Sequence, residues 1–314
     1  MLRFVVRRML YAVLVLWLVS TAVFTLLQIS PVPVERIIGG PRATTETLQQ
    51  IRHNLGLDQP VPVQYWDFLA RLVHGDLGYS YINQTPVTQL IGDRLPTTLW
   101  LVAGAGIIWF VGGVTTGVLS ATRVRSWIDR VSTAFVLVGL STPPFVMALV
   151  LLFVFATALG KLGVRFFEAG PPLQEHFLQR IILPWVGLAY LMVAAYTRLT
   201  RGSMLDVLGE DYIRTARAKG LSEKRVVYRH GLRSALTPVI TQFGIDIGAL
   251  IGSTIVTEKV FGLQGIGQLV YQSISVGDTP VIVGVTLLVS FFVILANLIV
   301  DIGYSFLDPR VRLG

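Results

Sequence analysis

One carboxylate stands where carboxylates are rarely tolerated. Asp246 interrupts an apolar run at about 236–257. An ionisable group at mid-bilayer depth is a functional candidate by default, with a direct substrate or proton role. An Asp hydrogen-bonded to a neighbouring helix or lining a wet cavity is the plainer reading, and the sequence offers Asp246 no obvious titratable partner. Other reactive sets are missing. The chain has no cysteine, which excludes disulfides, thiolate metal sites and a Cys nucleophile. His53, His74, His176 and His230 are scattered rather than spaced as ligands. No GxxxxGK[ST] phosphate loop, His-Glu-x-x-His or Gly-x-Ser-x-Gly pattern occurs. No catalytic residue, cofactor site or metal site is therefore expected in this chain.

The elements that must hold Asp246 are membrane helices. Of the 314 residues, 14% are charged, where soluble domains carry about 25%. With glycine counted and tyrosine left out, about 59% are apolar, against about 45–50%. Such a chain cannot cover its own surface with polar groups. Six stretches, at about 9–29, 97–120, 131–159, 181–197, 236–257 and 280–300, are long and apolar enough to span a bilayer. The fourth is the shortest. Backbone groups in lipid must be satisfied internally, so the expected fold is all-α and polytopic, with six transmembrane helices. The first run follows Arg3, Arg7 and Arg8 but is too long for a signal peptide's apolar core, so it reads as a retained helix.

Charge placement gives the orientation. With the N-terminus inside, 17 of the 26 Lys and Arg residues lie on inner segments, nine of them within 198–233. This is the positive-inside pattern, and it puts both termini in the cytoplasm. The net charge of +8 is then topogenic, and nucleic acid is not needed to explain it.

Two features of the spans suggest mechanics. Pro143 and Pro144 remove two backbone donors within the third span and predict a kink or break, as a packed structural kink or as part of a pathway. Gly244, Gly248 and Gly252 repeat at four-residue spacing in the fifth span, a small-residue stripe that lets another helix approach. Outside the membrane, the long segment 30–96 carries turn signals at Gly39-Gly40, Gln59-Pro60 and Gly75-Asp76 and amphipathic runs near 44–55 and 63–73. With Trp66, Phe68, Leu69 and Leu72 to pack, it reads as a small ordered cap.

The inner loop 206–231 is the most informative segment. It reads as two short helices around a hinge. Leu208, Tyr212 and Ala216 recur on one face, flanked by Ile213. Arg217 and Lys219 suit the last turn of the first helix, and Gly220 suits the left-handed position that ends it. Ser222 is placed to cap the second helix, with Leu221 and Val226 as its hydrophobic staple. A bare connector needs no caps. The loop looks built to present a helix face to a cytoplasmic partner, where a purely topogenic basic loop would need only its charge.

These residues also carry a family resemblance. Tyr212-Ile-Arg-Thr-Ala-Arg-Ala-Lys-Gly220, followed by Arg229-His-Gly-Leu-Arg-Ser-Ala-Leu-Thr-Pro238, resembles the EAA loop of ABC-importer permeases. Arg214 and Thr215 stand where the name-giving Glu and first Ala would be. Asn54-Leu-Gly-Leu-Asp58, Gly75-Asp-Leu-Gly78, Arg94-Leu-Pro-Thr-Thr-Leu99, Gly265-Ile-Gly267 and Leu307-Asp-Pro-Arg310 resemble dipeptide/oligopeptide permeases of the B-subunit type. Ser30-Pro-Val-Pro33 and Gln264 depart from the family's usual residues.

The resemblance implies the type I importer permease fold in a plasma (inner) membrane. It implies a first transmembrane helix plus extracytoplasmic segment over 1–96, and a five-helix core over 97–314 with a cytoplasmic coupling loop at 198–235. The expected partners are a homologous second permease, forming a heterodimer, two ABC ATPase subunits or domains that bind ATP and Mg, and an extracytoplasmic binding protein. Tyr212, Ile213, Ala216, Arg217, Gly220 and Leu221 would form the ATPase-coupling element. Pro143, Pro144 and Asp246 are pathway or gating candidates. Short peptides are the implied cargo, with nickel complexes, glutathione and haem-like compounds carried by relatives. An ion-coupled secondary transporter using Asp246 is the alternative.

Overall fold

A computed structural model describes residues 2–29, 34–40, 43–158 and 177–307. Ser30–Pro33, His176, Arg310 and the far end of the third apolar run lie outside them. Two compact units emerge, one from residues 1–96 with 264–298, the other from 97–263 with 299–314.

The first unit begins with α1 (Leu2–Ile29), followed by α2 (Val34–Gly39), α3 (Thr45–Asn54) and α4 (Val61–Val73). The Thr44 hydroxyl caps α3 by accepting from the Thr47 amide at 3.3 Å. The α3 and α4 spans match the amphipathic runs expected of the outer segment. Phe68 of α4 is buried with Phe24 of α1, and Tyr65, Leu69 and Leu72 pack around them. Trp66 was expected in this packing but is 68% exposed, because α4 turns its 65–68–69–72 face inward and 66 falls outside it.

A small hairpin follows, β1 (Tyr79–Ser80) paired antiparallel with β2 (Thr85–Pro86). It leads into α5 (Val87–Thr122), whose residues up to Pro96 belong to this unit. The chain returns later as α13 (Ile266–Val276) and α14 (Thr279–Leu307). Val87, Ile91, Ile266, Leu269, Val281 and Val285 form the buried core. Asp278, in the turn before α14, is buried and accepts from Ser80 Oγ at 2.5 Å and Asn83 Nδ2 at 3.0 Å. That pair of bonds fastens the hairpin to the start of α14.

The second unit contains the rest of α5, α6 (Trp127–Ser141), α7 (Pro144–Leu151) with a π-helical continuation to Ala158, and α8 (Phe177–Leu208). Then come α9 (Asp211–Ala218), α10 (Glu223–Arg225), α11 (Leu232–Ser253) and α12 (Ile255–Phe261). Helix α8 is the central post, packing on α6, α7 and α11. It also comes very close to α5. A Cβ on Gly113 would sit 2.4 Å from Tyr196 Cβ, and one on Gly117 would sit 2.9 Å from the Thr197 carbonyl. Only glycine allows backbones this near. Gly244 and Gly248 of the expected stripe are buried, whereas Gly252 is exposed.

Among the described residues, four helices are long and apolar enough to cross a membrane, or up to six if each of two bent pairs is one span. One bent pair is α6 and α7, which meet at 108° across Thr142–Pro143. The prolines break the span, and Pro144 occupies N1 of α7, where a missing N–H leaves nothing unsatisfied. The Thr142 amide and hydroxyl both bond the Val138 carbonyl, at 3.0 and 2.8 Å, at the end of α6. The other bent pair was not expected: α11 and α12 meet at 60° near Thr254. The fourth span, expected to be the shortest, is part of an unbroken helix of 32 residues, because its polar inner end stays helical through Leu208. Large apolar side chains along α1, including Leu10, Val13, Leu14 and Leu18, are exposed. In a lipid solvent they are already in their preferred medium.

Candidate functional site

The inner loop folds into an elbow. Helix α8 ends at Leu208, and Gly209 and Glu210 reset the chain before α9. At the other end of α9, Gly220 takes φ +76°. Its amide donates to the Arg217 carbonyl at 2.9 Å, and the Leu221 amide reaches back to the Ala216 carbonyl at 3.3 Å. This nested pair is a Schellman motif, and its usual apolar contact is present between Leu221 and Ala216. Ser222 is the N-cap residue of α10, but its side chain makes no capping bond; its carbonyl accepts from Arg225 and Val226. The staple forms as expected, since Leu221 and Val226 share one cluster with Ile213, Ala216, Val207 and Leu208. Arg217 grips Glu223 through two bonds, 3.1 and 2.7 Å, across the bend. The guanidinium holds the Glu223 carboxyl below its ordinary range.

Two details differ from the sequence reading. Tyr212 is not on the buried face; it is 45% exposed, and Ile213 takes the inward place. The inward face of α9 runs through Ile213 and Ala216, three residues apart, which leaves Tyr212 beyond its edge, while Leu208 of α8 packs with that face. The second short helix is also not separate. It runs through a π-helical stretch, Val226–Gly231, straight into α11. Val226 and Val227 are buried in that stretch while Tyr228 is 52% exposed. The elbow is therefore a single α9 strut braced on the foot of α11. Its outward side presents Tyr212, Arg214, Thr215 and Lys219.

Behind the elbow lies a joint that sequence reasoning missed. Asp129, in the first turn of α6, is 6% exposed. Its Oδ1 accepts from Arg201 Nε at 2.8 Å and Ser120 Oγ at 2.5 Å. Its Oδ2 accepts from Arg201 Nη2 at 3.1 Å and the Arg125 amide at 2.9 Å. Three helices, α5, α6 and α8, are thus tied through one carboxylate. A signal was available: Ser126-x-x-Asp129 has the form of a capping box, and Ser126 Oγ does accept from the Asp129 amide. The close approach of α5 and α8 was equally readable as Gly113-x-x-x-Gly117.

Asp246 does have a titratable partner. Tyr196 of α8, itself buried, donates its hydroxyl to Oδ2 at 2.8 Å, and Gln242 donates to Oδ1 at 2.9 Å. Trp109 and Phe243 stack around the tyrosine, with Trp109 and Phe243 centroids 5.2 Å apart. Sequence reading could not see this pair because the partners are 50 residues apart. The bonds of Asp246 go to these two groups and not to the Pro143–Pro144 bend. A further buried carboxylate, Glu258 of α12, accepts from Thr98 Oγ1 at 2.7 Å.

Comparison with known proteins converges on one family. Residues 113–313 match the family described as binding-protein-dependent transport system inner membrane component, and residues 1–102 match its N-terminal companion. The glutathione transport system permease protein GsiC of Escherichia coli strain K12 is 39% identical over 312 residues, covering 99% of both chains. The protein of the same description from Shigella dysenteriae serotype 1 is equally similar. In fold, the chain is similar to a subunit of the MetNI methionine ABC transporter in an inward-facing conformation, with TM-score 0.55 and 23% identity, over 70% of this chain and 97% of that one. The chain belongs to the inner-membrane components of binding-protein-dependent transport systems, the multi-pass permease subunits of ABC importers, which work with a separate ATPase and a substrate-binding protein.

Proposed function

We propose that this chain forms half of the translocation pathway of a peptide importer and receives the ATPase stroke through the elbow at 206–231. The observation that carries this reading is the elbow's construction. A Schellman cap, a hydrophobic staple and a two-bond ion pair hold α9 against the foot of α11. A push on α9 is then passed to a membrane helix rather than absorbed by a loose loop. An ATPase can shift a permease only through contacts that differ between its states. In this reading Ile213, Ala216 and Leu221 lock the strut, Gly220 sets its angle, Arg217 braces it, and Tyr212 meets the ATPase. The ATPases, two subunits or domains, hold ATP and Mg. A homologous second permease completes a heterodimer, and a binding protein delivers cargo on the extracytoplasmic side. Both termini lie inside.

Peptide cargo is supported by the likeness to a glutathione permease, glutathione being itself a short peptide. Asp246 fits a pathway group that meets a cationic end of the cargo. The Pro143–Pro144 bend fits a hinge, and Gly244 and Gly248 fit close packing of α11 against a neighbouring helix.

The test is Gly220→Pro in the assembled transporter. Proline cannot adopt φ +76° and lacks the amide that closes the cap. Membrane insertion and recovery with the partner subunits should persist, while substrate-stimulated ATP hydrolysis is lost. Normal stimulation in this variant would sink the coupling role.

A further inference from the structure

A second polar feature of the same unit lies outside both the elbow and the Asp246 cluster. A cavity of about 170 Å³ opens between α6 and α8. One end is polar, with Ser132, Thr133, Arg198 and Arg201; the other is apolar, with Leu137 and Leu140. Most of the polar groups are already committed. Arg201 is bound to Asp129 through two nitrogens, and the Thr133 hydroxyl donates to the Asp129 carbonyl at 2.8 Å. Among the described residues, the Arg198 guanidinium and the Ser132 hydroxyl have no partner. The mouth of the cavity therefore presents the exposed guanidinium of Arg198, with the Ser132 hydroxyl also lining it. Its apolar end opens sideways, since Leu137 is 63% exposed and Leu140 39%.

We propose that this groove binds one anionic phospholipid, its phosphate on Arg198 and Ser132 and an acyl chain along Leu137 and Leu140. Charge complementarity and depth select this occupant. Arg198 directly follows the apolar run 181–197, so its charge falls where headgroups lie. Trp127, 73% exposed at the start of α6, has the character of an interfacial anchor at the same end. Arg123, Arg125 and Arg130 add to the positive field there. Basic pockets between membrane helices on the cytoplasmic side suit anionic headgroups, and a guanidinium suits a phosphate through paired N–H donors. The inference rests on the positive-inside orientation but not on the coupling role of the elbow.

The experiment uses the whole transporter, delipidated in mild detergent and offered equal amounts of palmitoyl-oleoyl phosphatidylglycerol and phosphatidylcholine. Native mass spectrometry counts the lipids retained. The intact protein should keep phosphatidylglycerol several-fold over phosphatidylcholine, and Arg198→Gln should bring the ratio to about one with subunit assembly unchanged. Ser132→Ala should lower the ratio part of the way and serves if Arg198→Gln fails to assemble. Equal retention of the two lipids by the intact protein would overturn the proposal, as would an unchanged ratio in both variants. Disulfide capture of Leu137→Cys by the second permease would also overturn it, by assigning the groove to a subunit contact. Labelling of Arg198→Cys by an impermeant maleimide from the outer side would remove the orientation on which the site depends.

Discussion

Two carboxylates of the second unit are built on opposite plans. Asp129 faces a guanidinium that bonds both its oxygens, and a hydroxyl and a backbone amide complete the shell. Among the described residues, Asp246 faces neutral donors alone, a phenol and an amide. Charge-assisted, paired bonds are the strong and geometrically specific kind. Asp129 has its counter-charge in contact, and among the described residues Asp246 has none. The first plan makes a fixed joint where α5, α6 and α8 meet. The second makes a group that can respond. In the proposed function, Asp129 keeps the shape of the bundle and Asp246 meets the cargo.

The sharpest way to break the contrast is to remove one half of the joint. Arg201→Ala leaves Asp129 buried without its counter-charge. Breaking a buried pair in this way costs about 3–5 kcal/mol, and the partial exposure of Arg201, 31%, puts the expected loss nearer the lower value. The measurement is thermal stability of the purified protein; a shift no larger than a surface substitution gives would refute the joint. Gly117→Leu should follow closely. Its side chain would meet the Thr197 carbonyl and Thr200, and overpacking of this sort costs about 1–3 kcal/mol. Stability and membrane yield should both fall, while Gly202→Leu, in open space on α8, should leave them unchanged.

Legibility of the sequence followed the range of each signal. The elbow was readable because caps, staples and C-terminal glycines act over four to six residues, and Gly220, Leu221 and Val226 all sit as their spacing implied. The spans were readable from apolar length. Tyr212 falls outside the buried face because α9 turns the Ile213–Ala216 side inward, a choice between two adjacent residues that four-residue spacing alone does not make. Asp246 looked partnerless because Tyr196 is brought to it by packing of α8 on α11, which no local pattern encodes. The joint at Asp129 lies between. Its cap was local and its arginine was not. The Gly113–Gly117 pair is legible in the sequence as a small-x-x-x-small motif of the same kind as the Gly244–Gly248 stripe.

Asp246→Asn tests the responsive half. Asparagine keeps an acceptor for Tyr196 and the same shape, and the exposed Gln242 can turn its amide to accept from the new Nδ2, so stability should change little. Transport of a peptide with a free amino terminus should fall about tenfold, the worth of one lost bond to a charged group. An N-acetylated peptide should be affected much less. Equal loss for both peptides would mean that Asp246 acts on the fold and not on the cargo, and the contrast with Asp129 would collapse.

The smallest effect is expected at the Arg217–Glu223 brace, whose side chains are 42% and 62% exposed. The Glu223 carboxyl is depressed below its ordinary 4.5 by the arginine. Its contribution is therefore complete above that value and fades as pH falls through the lowered one, so no change is expected between pH 6 and 8. Exposed pairs contribute little to stability. The brace should instead show in coupling: Glu223→Gln should leave the melting temperature where it is and modestly lower substrate-stimulated ATP hydrolysis. A larger fall in stability than in stimulation would make the pair a fold element like Asp129–Arg201. The reverse ranking would place the elbow with Asp246 among the parts whose purpose is to transmit a change rather than to resist one.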